Sequence, residues 1–249
     1  MSQDLSIVTF GDEEQPARRQ KLVDLLRACP IPDNELAMNL GLFLTPQSLS
    51  RILFMDFLYR QVIDVQGVVM EFGCRWGQNV SLFTSLRGIY EPFNRLRKVV
   101  AFDSFAGFPS VSEKDGPQMK SGAYAVTENY ADYLAAVLDV QEQESPQAHL
   151  KKHEIVQGDV TDTVPAYLEK NPETVVALAY FDLDLHQPTV EALRAIEGRL
   201  TRGSVIGFDE VNDPATPGET AALIEAFGLK RYALRRFPPS ARTSYIVID

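Results

Sequence analysis

Short apolar runs that alternate with helical stretches are the feature that most constrains the fold of this 249-residue chain. Five runs of strand length lie at residues 68–72, 99–102, 154–156, 175–181 and 204–208. Apolar residues recur at helical spacing between most of these runs, so helices are expected to join the strands. Strands that alternate with helices form parallel βαβ units. The pattern therefore predicts an α/β fold built on a parallel sheet.

The two ends of the chain depart from this alternation. Residues 231–236 and 243–248 are both strand-like, and the short connection that contains Pro238 and Pro239 leaves no room for a crossover helix. We expect an antiparallel hairpin there. Residues 1–66 contain no strand-like run and predict an N-terminal helical extension that contacts the substrate or a second subunit. Residues 67–249 are then expected to form one domain with a seven-stranded, mostly parallel sheet.

Local signals place the helices and one insertion. Helices are predicted over residues 46–64, 78–87, 128–137, 164–169 and 218–227. A further helix is predicted to begin at Gln187 and Pro188 and to end at Gly203, because proline favours helix starts and glycine favours helix ends. Residues 110–125 are polar and rich in Ser, Gly and Pro. We interpret them as a surface insertion and a candidate lid.

Composition excludes several classes of protein. The formal net charge of −10 argues against a nucleic-acid partner, because phosphate binding needs clustered Lys and Arg. The two cysteines, Cys29 and Cys74, are far apart and support neither a disulfide framework nor a zinc site. There is no signal-peptide pattern and no apolar run of membrane-spanning length. We therefore expect a cytoplasmic protein without a membrane partner.

The turn after the first strand has the composition of a ligand-binding loop. Glu71, Gly73 and Gly77 lie between a strand and a helix, where small residues let a ligand approach the backbone N–H groups of the helix start. Two glycines at such a turn are equally compatible with simple turn chemistry. Arg75 stands where a dinucleotide-binding motif would have a glycine. This loop alone does not identify a site.

Two acids at later strand ends fit the same pocket. Asp103 ends the second strand, where the ribose hydroxyls of a bound nucleoside would need an acceptor. Asp159 follows the third strand and is placed to contact an adenine amine, although an acid there is equally expected to cap a helix. Together with the glycine loop, Asp103 predicts a nucleoside site at this edge of the sheet.

A second group of acids follows the fourth and fifth strands. Asp182 and Asp184 point to one face if the strand continues through them, and Asp209 and Glu210 end the neighbouring strand. Carboxylates placed side by side repel, and a hard divalent cation such as Mg²⁺ or Mn²⁺ compensates them. The alternative is that these acids cap a helix and start a solvated loop, but capping needs only one oxygen. His186 beside the pair is interpreted as a substrate contact, with a metal ligand or a surface residue as alternatives.

Four blocks of the chain resemble a known family. They are Glu71-Phe-Gly73, Phe102-Asp-Ser-Phe-Ala-Gly-Phe-Pro109, Gly158-Asp-Val-Thr-Asp-Thr-Val-Pro165 and Phe181-Asp-Leu-Asp-Leu-His-Gln-Pro-Thr189. With these blocks the chain resembles, from about Gly41 to its end, the TylF/MycF-like family of metal-dependent sugar O-methyltransferases from natural-product pathways.

The resemblance implies a class I methyltransferase fold, S-adenosylmethionine (SAM) as the methyl donor and a magnesium ion. Asp182, Asp209 and Glu210 match the metal positions, and Asp184 matches the proposed base. The family usually has Asp where Glu210 stands and Tyr where His186 stands, so both positions depart from its pattern. The predicted catalytic residues are Asp184, from the resemblance, and His186, from its place beside the acids. The predicted cofactor-binding residues are Glu71, Gly73, Gly77, Asp103, Ser104 and Asp159.

The acceptor expected from the resemblance is a nucleotide-linked deoxysugar or the sugar of a glycosylated metabolite, and a homo-oligomer is expected. A catechol or phenol methyltransferase shares the same fold and metal chemistry and stays an alternative. A glycosyltransferase would also use Asp-x-Asp with a metal, but that activity does not explain Glu71, Gly73 and Asp103. A SAM-sensing or interaction module without catalysis is a further alternative, disfavoured by the complete set of acids.

Overall fold

The structure is a computed structural model that describes residues 12–249, and the first eleven residues of the predicted N-terminal extension lie outside it. Between residue 12 and the first strand lie three α-helices and one 3₁₀ helix: α1 (Gln15–Arg27), α2 (Asp33–Leu36), the 3₁₀ helix Ala37–Phe43 and α3 (Pro46–Gln61). Thr45 and Ser48 form a reciprocal capping box at the start of α3. This hydrogen bonding explains why α3 begins where Pro46 predicted it.

Strands and helices alternate from Val68 onward, as predicted. The strands are β1 (Val68–Phe72), β2 (Val99–Asp103), β3 (His153–Gln157), β4 (Val176–Phe181), β5 (Leu200–Phe208), β6 (Arg235–Arg236) and β7 (Ser244–Val247). The helices that accompany them are α4 (Gln78–Tyr90), α5 (Tyr130–Gln143), α6 (Val160–Lys170), α7 (His186–Glu197) and α8 (Gly218–Ala226). A 3₁₀ helix, Glu113–Asp115, lies between β2 and α5.

The seven strands form one sheet in the order β3-β2-β1-β4-β5-β7-β6. Neighbouring strands from β3 to β5 pair in parallel, whereas β7 pairs antiparallel with both β5 and β6. The predicted seven-stranded, mostly parallel sheet with an antiparallel C-terminal hairpin is thus confirmed. The strand order reverses between β1 and β4, and ligands of open α/β sheets bind outside the carboxyl ends of strands at such a point.

Both faces of the sheet are covered by helices. One face packs against α3, α4 and α5 through buried residues such as Phe54, Phe83 and Leu134. The other packs against α6, α7 and α8 through residues such as Val164, Leu193 and Leu223. Because both faces are buried, β1 and β4 are buried along their whole length, which is why they read as continuous apolar runs.

Four phenylalanines form a row across the four central strands. Phe72, Phe102, Phe181 and Phe208 occupy paired positions of β1, β2, β4 and β5. Their ring centroids are 5.3, 4.6 and 5.6 Å apart along the row. Such stacked aromatic pairs stabilise a sheet beyond their buried area. This row is the last apolar layer before the loops at the carboxyl edge.

The end of α7 was predicted wrongly. Helix α7 ends at Glu197, not at Gly203, and β5 already begins at Leu200. Gly203 lies inside β5 with φ 88°, so the glycine that resembled a helix end serves an irregular position of a strand. Within residues 12–249, no helix has both the length and the apolar character needed to cross a membrane.

Candidate active site

A cavity of about 390 Å³ opens directly after the phenylalanine row. Most of the predicted site residues line it: Gly73, Asp103, Ser104, Asp159, Asp182, Asp184, Asp209 and Glu210. The lining does not include Glu71, Gly77 or His186. Each phenylalanine of the row is followed by one predicted site residue: Gly73, Asp103, Asp182 or Asp209. The sheet register therefore brings these four residues, one from each strand, together at the carboxyl edge.

The loop after β1 lies against the loop after β4. Gly73 has φ 85°, and a Cβ atom there would come within 2.0 Å of the carbonyl oxygen of Asp182. Only glycine fits such an approach without displacing one of the two loops. Gly77 also has a left-handed backbone, with φ 74°, at the start of α4. The backbone of this loop therefore reaches the cavity, whereas Gly77 shapes the entry into the helix.

Asp103 is held in place by the β1 loop and by its own turn. Its Oδ2 accepts a hydrogen bond from the Arg75 backbone N–H at 2.7 Å, and its Oδ1 accepts one from the Phe105 N–H at 2.6 Å. Burial raises the pKa of Asp103, and these two N–H groups oppose that rise. A carboxylate has about four acceptor positions, so Asp103 keeps capacity for the two hydroxyls of a ribose.

Glu71 lies beneath the loop. Its Oε1 accepts a hydrogen bond from the Asn79 side chain at 3.0 Å, and its buried Oε2 has no hydrogen-bond partner among residues 12–249. Burial raises the pKa of Glu71 to about 8, although the Asn79 amide opposes the rise. The recorded contact thus joins Glu71 to α4, and its predicted contact with a cofactor stays a prediction.

Asp159 caps a helix, as one of its two interpretations expected, and its contact with an adenine amine stays a prediction. Its Oδ1 accepts hydrogen bonds from the Thr161 N–H at 2.9 Å and the Thr161 hydroxyl at 2.8 Å, which caps α6. Asp159 also lines the cavity. Ser104 stabilises the next turn, because its hydroxyl donates to the Gly107 carbonyl at 3.1 Å.

Asp182 and Asp209 converge on one guanidinium, that of Arg51 from α3. Nη1 of Arg51 donates to Oδ2 of Asp182 at 2.9 Å, and Nη2 donates to Oδ1 and Oδ2 of Asp209 at 2.9 and 3.1 Å. The Tyr180 hydroxyl donates to Asp209 Oδ1 at 2.8 Å. The predicted neighbourhood of these two acids is therefore present. Arg51, 131 residues before Asp182, was not predicted to be part of the site.

Glu210 faces a second arginine. Arg242 contacts Oε1 of Glu210 and makes an ion pair with Asp213 at 2.9 Å, while Oε2 of Glu210 is buried without a hydrogen-bond partner in the described part of the chain. No group of three or more His, Cys, Asp or Glu residues is arranged to hold a metal ion among residues 12–249. Asp182 and Asp209 thus pair with Arg51, whereas Glu210 pairs with Arg242 together with Asp213.

Asp184 does not continue the strand. Strand β4 ends at Phe181, and Asp184 adopts a left-handed backbone with φ 59°, so the expectation that Asp182 and Asp184 share one strand face is wrong. The start of α8 packs closely against this turn: a Cβ atom on Gly218 would lie 2.2 Å from the Asp184 carbonyl oxygen. Burial raises the pKa of Asp184, and the nearby Asp209 carboxylate raises it further.

His186 begins α7, and its ring faces away from the cavity. Its Nε2 lies 2.9 Å from Oε2 of Glu225 and 3.2 Å from Nζ of Lys114. Its backbone N–H donates to Oδ1 of Asp115 at 2.5 Å. The imidazole is absent from the lining, and its predicted contact with a substrate stays a prediction.

The segment of residues 110–125 contacts the start of α7 through Asp115 and the cavity through Tyr124. Asp115 is buried and reaches the start of α7, and Tyr124 lines the cavity with its ring centroid 4.7 Å from the Arg75 guanidinium carbon. Phe108 and Pro109, just before the segment, also line the cavity. These contacts place the segment beside the cavity. Its role as a lid stays a prediction.

The strand order with its antiparallel last pair, the helices on both faces and a cavity at the carboxyl edge define a class I methyltransferase. Residues 55–228 match the macrocin-O-methyltransferase (TylF) family. The chain belongs to this family, and it is an O-methyltransferase, as the four sequence blocks indicated.

Solved structures agree with this assignment. A crystal structure of the calicheamicin methyltransferase CalS11 shares 45% identity with the chain and a TM-score of 0.93, over 99% of this chain and 97% of that one. An apo structure of CalS11, described as a TDP-rhamnose 3'-O-methyltransferase, shares 42% identity and a TM-score of 0.86 over 98% and 99%. The O-methyltransferase NovP, at 16% identity and a TM-score of 0.59 over 80% and 79%, shows the common fold. A comparison with curated proteins found no match.

Proposed function

We propose that this protein transfers the methyl group of SAM to a hydroxyl of a sugar, carried by a nucleotide or by a glycosylated natural product. The observation that carries the proposal is that Asp103 and Asp184 line one cavity. The carboxylate proposed to bind the nucleoside of SAM and the candidate base therefore face the same space. The TDP-rhamnose 3'-O-methyltransferase at 42% identity supports a nucleotide-linked deoxysugar as the first acceptor to test.

In this proposal the carboxyl edge of β1, β2 and β3 binds SAM. The Asp103 carboxylate accepts from the ribose hydroxyls, and the backbone around Gly73 receives the methionine part. Asp159 would accept from the adenine amine, and Ser104 would line the same pocket. The N–H groups of Arg75 and Phe105 fix the orientation of Asp103 before the cofactor arrives, which lowers the entropic cost of binding.

The donor set of the acids fits a magnesium or manganese ion. Asp182 and Asp209 already converge on one point, their ligand atoms are hard oxygens, and Oε2 of Glu210 is buried and unpartnered among the described residues. Asp182 and Asp209 would hold the ion, with Glu210 as a third donor after its side chain turns. When bound, such an ion lowers the pKa of a coordinated hydroxyl.

Asp184 acts as the base in this proposal. Its carboxylate takes the proton from the attacked hydroxyl, whose oxygen then forms a bond to the methyl carbon while the bond from carbon to sulfur breaks and the sulfonium becomes a neutral thioether. Burial raises the pKa of Asp184, which makes it a stronger base than an exposed carboxylate. The remaining task of the protein is to align donor and acceptor.

The test is a mass-spectrometric methylation screen with SAM and Mg²⁺ against nucleotide sugars, glycosides and catechols. We expect Asp184→Asn to bind SAM with unchanged affinity and to lose at least about a hundredfold in turnover, the usual size of a general-base contribution. Asp162→Asn, an exposed acid near the start of α6, is the matched control and should keep full activity. Excess EDTA should abolish turnover and Mg²⁺ should restore it.

Failure has distinct signatures. Methylation of catechols but of no sugar would change the acceptor and keep the reaction. Full activity in EDTA would remove the metal from the proposal. Calorimetry that detects no SAM binding, together with tight binding of a nucleotide sugar, would refute the proposal as a whole.

We also propose that the protein forms a homo-oligomer through the surface that precedes β1. Leu58 of α3 is in the core, but Met38, Leu40 and Leu42 of the 3₁₀ helix are exposed, Met38 by 88%. Contiguous exposed apolar side chains are typical of subunit interfaces. Light scattering coupled to gel filtration should give a mass of at least two chains, and Leu42→Glu should shift it towards one.

A further inference from the structure

Arg51 lies at the point where the carboxylates of Asp182 and Asp209 meet. Three hydrogen bonds of 2.9 to 3.1 Å join its two terminal nitrogens to the two side chains. The Arg51 side chain is 32% exposed, Asp182 is 23% exposed and Asp209 is 9% exposed. Arg51 also lines the cavity.

The guanidinium neutralises a pair of carboxylates that would otherwise repel one another. An arginine stays protonated at any ordinary pH, and its planar fork can donate to two carboxylates at once. A divalent ion held by Asp182 and Asp209 would need the oxygen atoms that now accept from Arg51. Two cations on one pair of carboxylates repel, so the guanidinium and the ion exclude each other.

From this geometry we infer that Arg51 is a resident counter-cation: it holds Asp182 and Asp209 together before the metal ion binds, and the ion binds only when the guanidinium moves away. The inference rests on the proposed metal site and adds that metal binding is an exchange of cations. Its consequence is a weakened affinity for the free ion, because every binding event must break the ion pairs of Arg51.

The structure allows the side chain to move while its helix stays. Helix α3 is anchored through Phe54, Met55 and Leu58, all fully buried, whereas the Arg51 side chain extends along the cavity. A long side chain with one end at a cavity can change rotamer without a backbone shift. The exchange therefore needs no rearrangement of the fold.

The test compares Mn²⁺ binding to the wild type, Arg51→Met and Arg60→Met by calorimetry and by the electron paramagnetic resonance signal of free Mn²⁺. Methionine keeps much of the apolar stem and removes the charge. Arg60 lies on the same helix, 64% exposed and 3.9 Å from Asp56, so Arg60→Met controls for the loss of one arginine from α3. Thermal denaturation with and without Mn²⁺ is the second readout, and neither measurement depends on turnover.

We expect Arg51→Met to bind Mn²⁺ at least about tenfold more tightly than the wild type and Arg60→Met, which corresponds to about 1.4 kcal/mol. Without metal, Arg51→Met should melt below the wild type, and Mn²⁺ should raise its Tm by more than it raises that of the wild type. If Arg51→Met does not fold, Arg51→Lys replaces it: a single ammonium cannot bridge both carboxylates in the same way, so tighter binding is again expected.

Equal or weaker Mn²⁺ binding by the Arg51 variant would overturn the inference. Equal binding would mean that the ion and the guanidinium do not compete for the same carboxylate oxygens. Weaker binding would mean that Arg51 favours binding of the ion. The absence of binding by all three proteins would overturn it as well and would remove the metal from the proposed function. SAM-dependent methylation in EDTA would then show that the methyl transfer itself still stands.

Discussion

Asp115 connects the segment of residues 110–125 to the start of α7, and its removal is the perturbation with the most informative outcome. Oδ1 of Asp115 accepts from the His186 N–H at 2.5 Å, and Oδ2 accepts from the Ser112 N–H at 2.6 Å and from the Ser112 hydroxyl at 2.8 Å. Asp115 is 2% exposed. The buried Asp115 carboxylate thus caps α7, which begins two residues after Asp184.

Asp115→Ala should lower the free energy of unfolding by about 1 to 3 kcal/mol. The substitution removes the cap of α7 and leaves the buried His186 N–H without an acceptor, which costs about 1 to 3 kcal/mol. Asp115→Asn keeps one carbonyl oxygen and should lose about half as much. The turn that contains Asp184 is held by the same contact, so we expect kcat to fall while the affinity for SAM stays unchanged.

The measurements are urea unfolding and steady-state methylation kinetics, with SAM binding measured by calorimetry. Glu113→Ala is the matched control, because Glu113 is an exposed acid in the same 3₁₀ helix. A loss below about 0.5 kcal/mol in Asp115→Ala, the range of ordinary surface substitutions, would refute the capping argument. A fall in SAM affinity equal to the fall in kcat would refute the positional argument, since a general loosening of the fold would affect both.

Three further predictions concern buried groups. Gly73→Ala should lower the affinity for SAM and the stability by about 2 kcal/mol or more, because its Cβ would lie 2.0 Å from the Asp182 carbonyl oxygen. Gly198→Ala, where a Cβ meets open space, should change neither quantity. Urea unfolding and calorimetry test both variants. Burial raises the pKa of Glu71 from 4.5 to about 8, so between these values the folded protein retains a proton that the unfolded chain has lost, and stability falls as the pH rises. Glu71→Gln should reduce the loss of unfolding free energy by up to about 1.4 kcal/mol per pH unit, measured by unfolding at pH 5, 6.5 and 8. If the stability of the wild type and of the variant changed equally with pH, the assignment to Glu71 would be wrong. Glu142→Ala leaves the buried Arg87 guanidinium without its carboxylate and should cost about 3 to 5 kcal/mol in urea unfolding, whereas a loss below about 1 kcal/mol would mean that the pair is dispensable.

Much of the site could be predicted because it follows from the sheet register. Phe102-Asp103, Phe181-Asp182 and Phe208-Asp209 repeat one pattern, in which a strand ends in phenylalanine and an acid follows. Parallel pairing places these phenylalanines side by side, and the residues after them then line one edge. Strand periodicity and the parallel alternation are sufficient for this part of the prediction.

The cations of the site could not be predicted in this way. Arg51 and Arg242 reach the acids from α3 and from the turn before β7, and no periodic pattern connects residues at such distances along the chain. The left-handed backbone of Asp184 was also missed, because apolar periodicity carries no signal for a single residue with positive φ. The signal that was available was chemical: four acids in a closed space need positive charge, and arginine supplies it as well as a metal does.

The positive charge beside Asp182 and Asp209 belongs to Arg51 of helix α3, which precedes the first strand. The stretch before Val68 is an attractive target for chimeras that exchange the N-terminal helices of two relatives in order to change the acceptor. Such an exchange would also replace the residue at position 51, and with it the charge balance of Asp182 and Asp209. A chimera with an uncharged residue there would be expected to melt at a lower temperature unless another cation compensates the two carboxylates. Retaining Arg51 in the exchanged helix would keep that compensation.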